Sequence, residues 1–375
     1  MKRLFLISFI LLSYCTSAQC DEDIEKNRKI YAPDKRTVIF EISYNAQFNS
    51  IRGKTNSLNA KKALSELCLQ RNVIDSIQFL PAKENNLKKY GIVHVSVANL
   101  RTKPEESAEL ASQMLMGMPL RILEKNRGWY RVQCPDDYIG WIDGSTMTQF
   151  SENEYAIYQS AKKAVFTKPF GFALSDTSSI IRPIRDLSFG NLLTLQKIEK
   201  GFAEVIFPDG KTGFLPANEI QNSEDWLKTR KTDTESLVNN GYQMLGIPYL
   251  WGGTSFKGAD CSGFTRMTFL ASGMLLPRDA SQQALLGETV SIDSEFTKLS
   301  KGDLLFFGNL QTSKVTHVAI WAGNKSFIHS SGMIQVNSFD INSPNYDEYN
   351  LKRLLFVKRI DHKQLYLSGK NFYKF

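Results

Sequence analysis

From residue 35 onward the hydrophobic positions change rhythm several times, and each change marks a boundary. Thr37-Val38-Ile39-Phe40-Glu41-Ile42 is rich in β-branched residues and reads as a strand. Leu58 to Leu69 gathers Leu64, Leu67 and Cys68 on one helical side, and Val73 to Leu80 is strand-like again. This predicts a small α/β N-terminal module over 35–88 with a βαβ-like order. Pro81 and the polar run Lys83-Glu84-Asn85-Asn86 read as its linker.

Short alternating runs broken by glycine turns follow, as expected of small all-β barrels. They occur as two copies, 89–150 and 155–222, related by a constant offset of 73. Gly117 matches Gly190, Gly128 matches Gly201, Val132 matches Val205, Pro135-Asp136 matches Pro208-Asp209 and Gly140 matches Gly213. The aromatics follow, Trp129 with Phe202 and Trp141 with Phe214, and are expected to be barrel core. Repetition over such a length says more than any single strand.

Residues 232–362 mix the two periods. Phe264, Met267, Leu270 and Ala271 recur at helical steps, with Gly273 as a stop, and predict an amphipathic helix. Downstream, Val315–Trp321 and Ser326–Ser331 read as strands joined by Ala322-Gly323-Asn324-Lys325. The chain is therefore read as α+β.

Candidate chemistry lies in this last region. Cys261, in Asp260-Cys261-Ser262-Gly263-Phe264, sits at the predicted helix start, where unpaired N–H groups and the helix dipole favour a thiolate. A nucleophile needs a base, and the chain has four histidines, His94, His317, His329 and His362. A hairpin centred on Gly323 sets His317 opposite His329 on one face, whereas a one-residue slip would part them. His317 can then exchange the thiol proton while His329 orients its ring. Alone, each residue reads as ordinary packing. Together they point to a cysteine hydrolase, and a zinc site would instead draw close-spaced ligand pairs. No metal and no organic cofactor is expected.

Five runs carry a resemblance: Tyr249-Leu250-Trp251-Gly252-Gly253, the cysteine run, Leu276-Pro277-Arg278-Asp279, Gly302-Asp303-Leu304-Leu305-Phe306-Phe307 and Thr316-His317-Val318-Ala319-Ile320. In order and spacing they resemble the NlpC-type cell-wall cysteine peptidases. That resemblance implies a papain-like domain over 232–362 with catalytic Cys261, His317 and His329. Asn99-Leu100-Arg101, Gly128-Trp129 and Gly140-Trp141 resemble bacterial SH3-like domains. The second copy has Ala173-Leu174 in place of the Asn-Leu-Arg signature, which suits a spacer.

The domain order is similar to that of the γ-D-glutamyl-L-diamino acid endopeptidases, also called dipeptidyl-peptidase VI. This implies cleavage of stem peptides of the form L-Ala-γ-D-Glu-diamino acid with a free amino terminus. Asp260, Glu109 and Tyr138 would line the pocket for that ammonium. Ser262 and Ser281 would bind the dipeptide, and the Tyr249 hydroxyl with the Cys261 N–H would hold the oxyanion. Rival readings are an endopeptidase on intact wall tethered by the barrels, and a non-catalytic wall-binding protein.

Residues 1–18, with Lys2, Arg3, an apolar run from Leu4 to Leu12 and Thr16-Ser17-Ala18, read as a signal peptide for export to a periplasm or beyond the cell. Its apolar stretch is too short to span a bilayer. Cys20 also allows a lipoprotein, though Gln19 before it suits lipidation poorly. Without Lys2 and Arg3 the remaining 44 basic and 38 acidic residues give a net charge of +6. That balance suits an anionic wall polymer, and no nucleic-acid motif accompanies it. Of the remaining cysteines, Cys68 and Cys134 either bridge or stay buried thiols. A monomer is expected.

Overall fold

The computed structural model describes residues 17–81, 88–177, 182–230 and 233–361. The expected signal segment lies outside them, except for Ser17 and Ala18, which open a helix, Ser17–Tyr31. The linker run 83–86 and His362 also lie outside. No helix among the described residues is long and apolar enough to cross a membrane. The chain divides into two compact units, before and after Lys88.

In the first unit, strands Phe40–Asn45 and Ser50–Thr55 pair antiparallel, and Ser50–Thr55 pairs parallel with Ile74–Phe79. The helix Leu58–Arg71 connects the parallel pair. Ser57 caps it, accepting from the Ala60 N–H, and Asn72 ends it at φ 53°. The βαβ unit thus starts from Ser50–Thr55 and not from the β-branched run ahead of it. Ser50-Ile51-Arg52-Gly53-Lys54-Thr55 carries one large apolar residue, Ile51, and this fully buried side chain is enough to fix the strand on the core. Cys20 is fully buried in the same core. Cys68 and Cys134 are free buried thiols, so the bridge considered between them is not formed.

The second unit contains two seven-stranded barrels. Strands of the first are Tyr90–Val93, Val97–Arg101, Leu110–Leu115, Pro119–Asn126, Trp129–Gln133, Ile139–Asp143 and Met147–Phe150. Those of the second, from Lys163–Phe166 to Ile220–Asn222, each begin 73 residues later. Both sheets run seventh, first, fourth, fifth, sixth, second, third. Even the bulge recurs, between Ile122 and Glu124 in one and Leu195 and Lys197 in the other. Trp129, Trp141, Phe202 and Phe214, expected in the core, are only half-buried. Their neighbours Tyr130, Val132, Ile142, Ala203, Val205 and Leu215 point inward instead, as the period of two in a strand requires.

The third part of this unit is a six-stranded antiparallel sheet. In order it comprises Glu288–Val290, Leu354–Arg359, Leu304–Asn309, Lys314–Gly323, Ser326–Ser331 and Met333–Ser338. Helix Cys261–Ala271 packs on its central strands beside helix Thr234–Tyr242. It is not amphipathic, because every residue from Cys261 to Leu270 is buried. Two polar residues of its second side, Thr265 and Arg266, are covered and paired. Arg266 donates to Asp136 of the first barrel at 2.5 Å, and the Thr265 hydroxyl donates to Gln283 at 2.7 Å.

Gln113 also joins the first barrel to the sheet domain. Its side-chain oxygen accepts from the Thr254 N–H at 3.0 Å and the Ser255 hydroxyl at 2.9 Å, and its backbone C=O accepts from the Thr254 hydroxyl at 2.8 Å. Gln113→Ala leaves the Thr254 N–H buried without a partner. The expected loss is about 1–3 kcal/mol of stability by urea unfolding. The second barrel is joined through Lys257, which pairs with Asp186, and through the Phe189 and Phe256 rings, 5.4 Å apart.

Candidate active site

Asp260 has extended backbone and caps the helix, its Oδ1 accepting from the Gly263 N–H at 2.7 Å, so Cys261 becomes the first helical residue. Gly263 has to be glycine here, since a Cβ would lie 1.9 Å from the Gly253 carbonyl oxygen. This contact presses the helix start against the loop that carries Tyr249. The loop is tied to the turn between strands Ser326–Ser331 and Met333–Ser338, Tyr249 donating its N–H to Gly332 O at 2.9 Å.

The hairpin register differs from the expected one. Ile320 pairs with Ile328 and Trp321 with Phe327, and the turn is made by Asn324 and Lys325 at φ 50° and 58°. His317 and His329 are therefore diagonal neighbours, two residues out of direct opposition. Parity is kept, so both remain on one face, and His317 Nε2 meets His329 Nδ1 at 2.9 Å. The backbone N–H of Val318, the residue after His317, faces the Cys261 sulfur and favours its charged form. Helix start and hairpin thus converge on one point.

Cys261 is 8% exposed, and burial, then the Asp260 carboxylate, push its thiol up to about 11. This overturns the expectation of a thiolate. Arg278 and the N–H groups of Val318 and Ser262 act in the opposite direction but do not outweigh burial. Burial, followed by His329 and Arg353, takes His317 down to about 3, and burial takes His329 down to about 4. At neutral pH the resting site is a thiol beside neutral imidazoles, so the proton transfers as the sulfur attacks. Tyr249, pushed up to about 12 by burial and by Cys261, keeps its hydroxyl proton.

Sequence reasoning missed Arg278. It is 2% exposed and reaches Asp260 Oδ2 at 2.6 Å and Ser262 Oγ at 2.9 Å. Asp260, expected to face a ligand ammonium, already accepts from Arg278 twice, from the N–H groups of Gly252 and Gly263 and from the Ser262 hydroxyl. An ammonium reaching it would have to share it with Arg278. Ser262 is buried in this cluster. Ser281 is exposed on the short helix Ala280–Gln283, and Gln283 is the residue of that helix that reaches inward, donating to Ser262 O at 3.1 Å. The first barrel adds Glu109, which accepts from Trp251 Nε1 at 2.7 Å, and Tyr138, whose hydroxyl meets Asp279 Oδ2 at 3.3 Å. The Leu-Pro-Arg-Asp run was visible in the sequence, but nothing there shows that its arginine is buried.

Residues 246–359 match the NlpC/P60 family model, and residues 100–146 match the bacterial dipeptidyl-peptidase Sh3 domain. The chain is 30% identical over 252 residues to a γ-D-glutamyl-L-lysine dipeptidyl-peptidase of Bacillus cereus, covering 64% of this chain and 73% of that protein. The chain belongs to the NlpC/P60 family. It is accordingly a cysteine peptidase of mixed α+β fold. Dipeptidyl-peptidase 6 of Lysinibacillus sphaericus is 27% identical, over 68% of this chain and 93% of that protein. A crystal structure of an NlpC/P60 family protein from Bacillus cereus superimposes with a TM-score of 0.61, over 72% of this chain and 99% of that one. At 24% identity it shares the fold.

Proposed function

We propose that this NlpC/P60 peptidase hydrolyses the γ-D-glutamyl-L-diamino acid bond of peptidoglycan stem peptides that carry a free N-terminal L-Ala, and releases L-Ala-D-Glu. The observation that carries this reading is the first barrel docked on the segments that flank the cysteine helix, with Glu109 on Trp251 and Tyr138 on Asp279. An open groove for polymeric wall has no use for such a wall. The relatives named for γ-D-glutamyl-L-lysine dipeptidyl-peptidase activity support the same bond.

In this reading Cys261 attacks the γ-carbonyl as its proton passes to His317, and the S–C bond forms. The Cys261 N–H and the Tyr249 hydroxyl bind the oxyanion. His317 then gives its proton to the amine of the diamino acid as the C–N bond breaks. Water, activated by His317, hydrolyses the thioester and restores the thiol. Glu109, Tyr138 and Asp260 receive the ammonium of L-Ala. A γ-linked glutamate keeps its α-carboxylate free, and Arg278 with Ser262 supplies the complementary donors. This substrate puts the protein outside the cytoplasm, in line with the signal segment expected over 1–18.

The test is mass spectrometry of L-Ala-γ-D-Glu-meso-diaminopimelate and its N-acetyl form after incubation with the protein. Cleavage of the free-amine peptide, with at least a hundredfold lower kcat/KM for the acetylated one, is the expected result, because blocking the ammonium leaves the acidic pocket unpaired. Equal cleavage of both, or release from intact sacculi in preference to free peptide, would transfer the assignment to a hydrolase of polymeric wall. Turnover of neither substrate would favour the wall-binding reading.

A further inference from the structure

Behind His329 the strand Ser326–Ser331 pairs with Met333–Ser338, Phe327 opposite Asn337 and His329 opposite Gln335. Asn337 therefore shares the face of His329, two pairs along the ladder. His329 is 1% exposed, and among the described residues its Nε2 makes no hydrogen bond. The side chain beside this imidazole is Asn337. On its far side the Asn337 amide donates through Nδ2 to Asp347 Oδ2 at 2.6 Å. Asp347, 9% exposed, also accepts from the N–H and the side-chain amide of Asn350 at 2.9 and 2.6 Å.

These contacts have a direction. An ionised carboxylate only accepts, so Asp347 obliges Asn337 to turn its NH2 outward and its Oδ1 toward His329. Oδ1 can only accept, so His329 must carry its proton on Nε2 and hold a lone pair on Nδ1. His317 Nε2, 2.9 Å away, then donates to that lone pair, and its own proton is on Nε2. The other nitrogen, Nδ1, is left bare.

We propose that Asn337 and Asp347 are positioning residues that fix the tautomers of both histidines, so that His317 presents an unprotonated Nδ1 to the Cys261 thiol. The proposal rests on the Cys261–His317–His329 reading above. Reverse the amide, and His329 Nε2 faces a donor, its proton moves to Nδ1, and it collides with the His317 Nε2–H.

The experiment compares Asn337→Leu and Asp347→Asn with the unaltered protein, with Cys261→Ala and His317→Ala as blanks, and with Asn345→Ala as a local packing control. Asn345 donates to Val336 O on the same strand and stands outside the chain of donors. Peptide hydrolysis gives kcat and KM, and iodoacetamide alkylation of Cys261 reads the base without substrate. Asn337→Leu should lower kcat about 10- to 100-fold with KM within about twofold, and slow alkylation in parallel. Asp347→Asn, which frees the amide to turn, should lose about tenfold, and Asp347→Glu should recover part of it. Unaltered kcat in both variants, or an equal loss in Asn345→Ala, would overturn the proposal. Turnover persisting in the two blanks would instead overturn the catalytic reading beneath it.

Discussion

Cys261→Ala is expected to abolish peptide hydrolysis, with a loss on the order of 10⁵-fold or more in kcat and an intact fold. No neighbouring group can replace the sulfur. Ser262 is buried under Arg278, with its hydroxyl turned to Asp260, and no second thiol lies in the catalytic domain. Removal of a nucleophile that works as one unit with its base costs most of the rate enhancement in one step. The fold should tolerate the change, since the side chain lost is small and the helix start is held by Asp260 and Gly263.

The same variant has a signature in alkali. The Cys261 thiol stands at about 11 in the folded protein against an ordinary value of 9.0, so the unfolded chain releases its proton first. Its contribution to stability is complete below pH 9 and is lost as pH rises to about 11. Urea midpoints of the unaltered protein should therefore fall faster over that window than those of Cys261→Ala. Equal slopes would mean that the thiol is not held neutral by burial.

How far the sequence led depends on whether a feature is local or made across domains. The helix start at Cys261, its stop at Gly273 and the twofold barrel repeat are local, written in capping residues and in an offset that every strand keeps. The placing of the histidines was legible in its essential point, one shared face, because parity survives a shift of two residues. The shift itself was not, since it depends on Asn324 and Lys325 both adopting positive φ, where the sequence suggested a turn centred on Gly323. The thiol was misjudged for a related reason. A helix N-terminus can be read from the chain, whereas the burial that overrides it is made by tertiary packing. Arg266 and Asp136, 130 residues apart, carry no mutual signal in the sequence, yet their pairing allows a helix with a polar side to be buried all round.

Arg278→Met is expected to destabilise the protein by about 3–5 kcal/mol, the usual effect of removing one partner from a buried ion pair. Arg278 and Asp260 side chains are 2% and 9% exposed and meet at 2.6 Å, so no water replaces the lost guanidinium. The Asp260 carboxylate retains the N–H groups of Gly252 and Gly263 and the Ser262 hydroxyl, but none of these carries charge. Arg278→Met combined with Asp260→Asn should recover much of the loss, because the neutral amide can still accept from Gly263 and leaves no buried charge behind. Urea unfolding of the two variants measures this directly. If the double variant is no more stable than the single one, the arginine acts through packing and not as the counter-charge of Asp260. If it regains stability while peptide turnover remains absent, the pair separates into two roles, a structural one that an uncharged pair can fill and a substrate-binding one that requires the charged side chains.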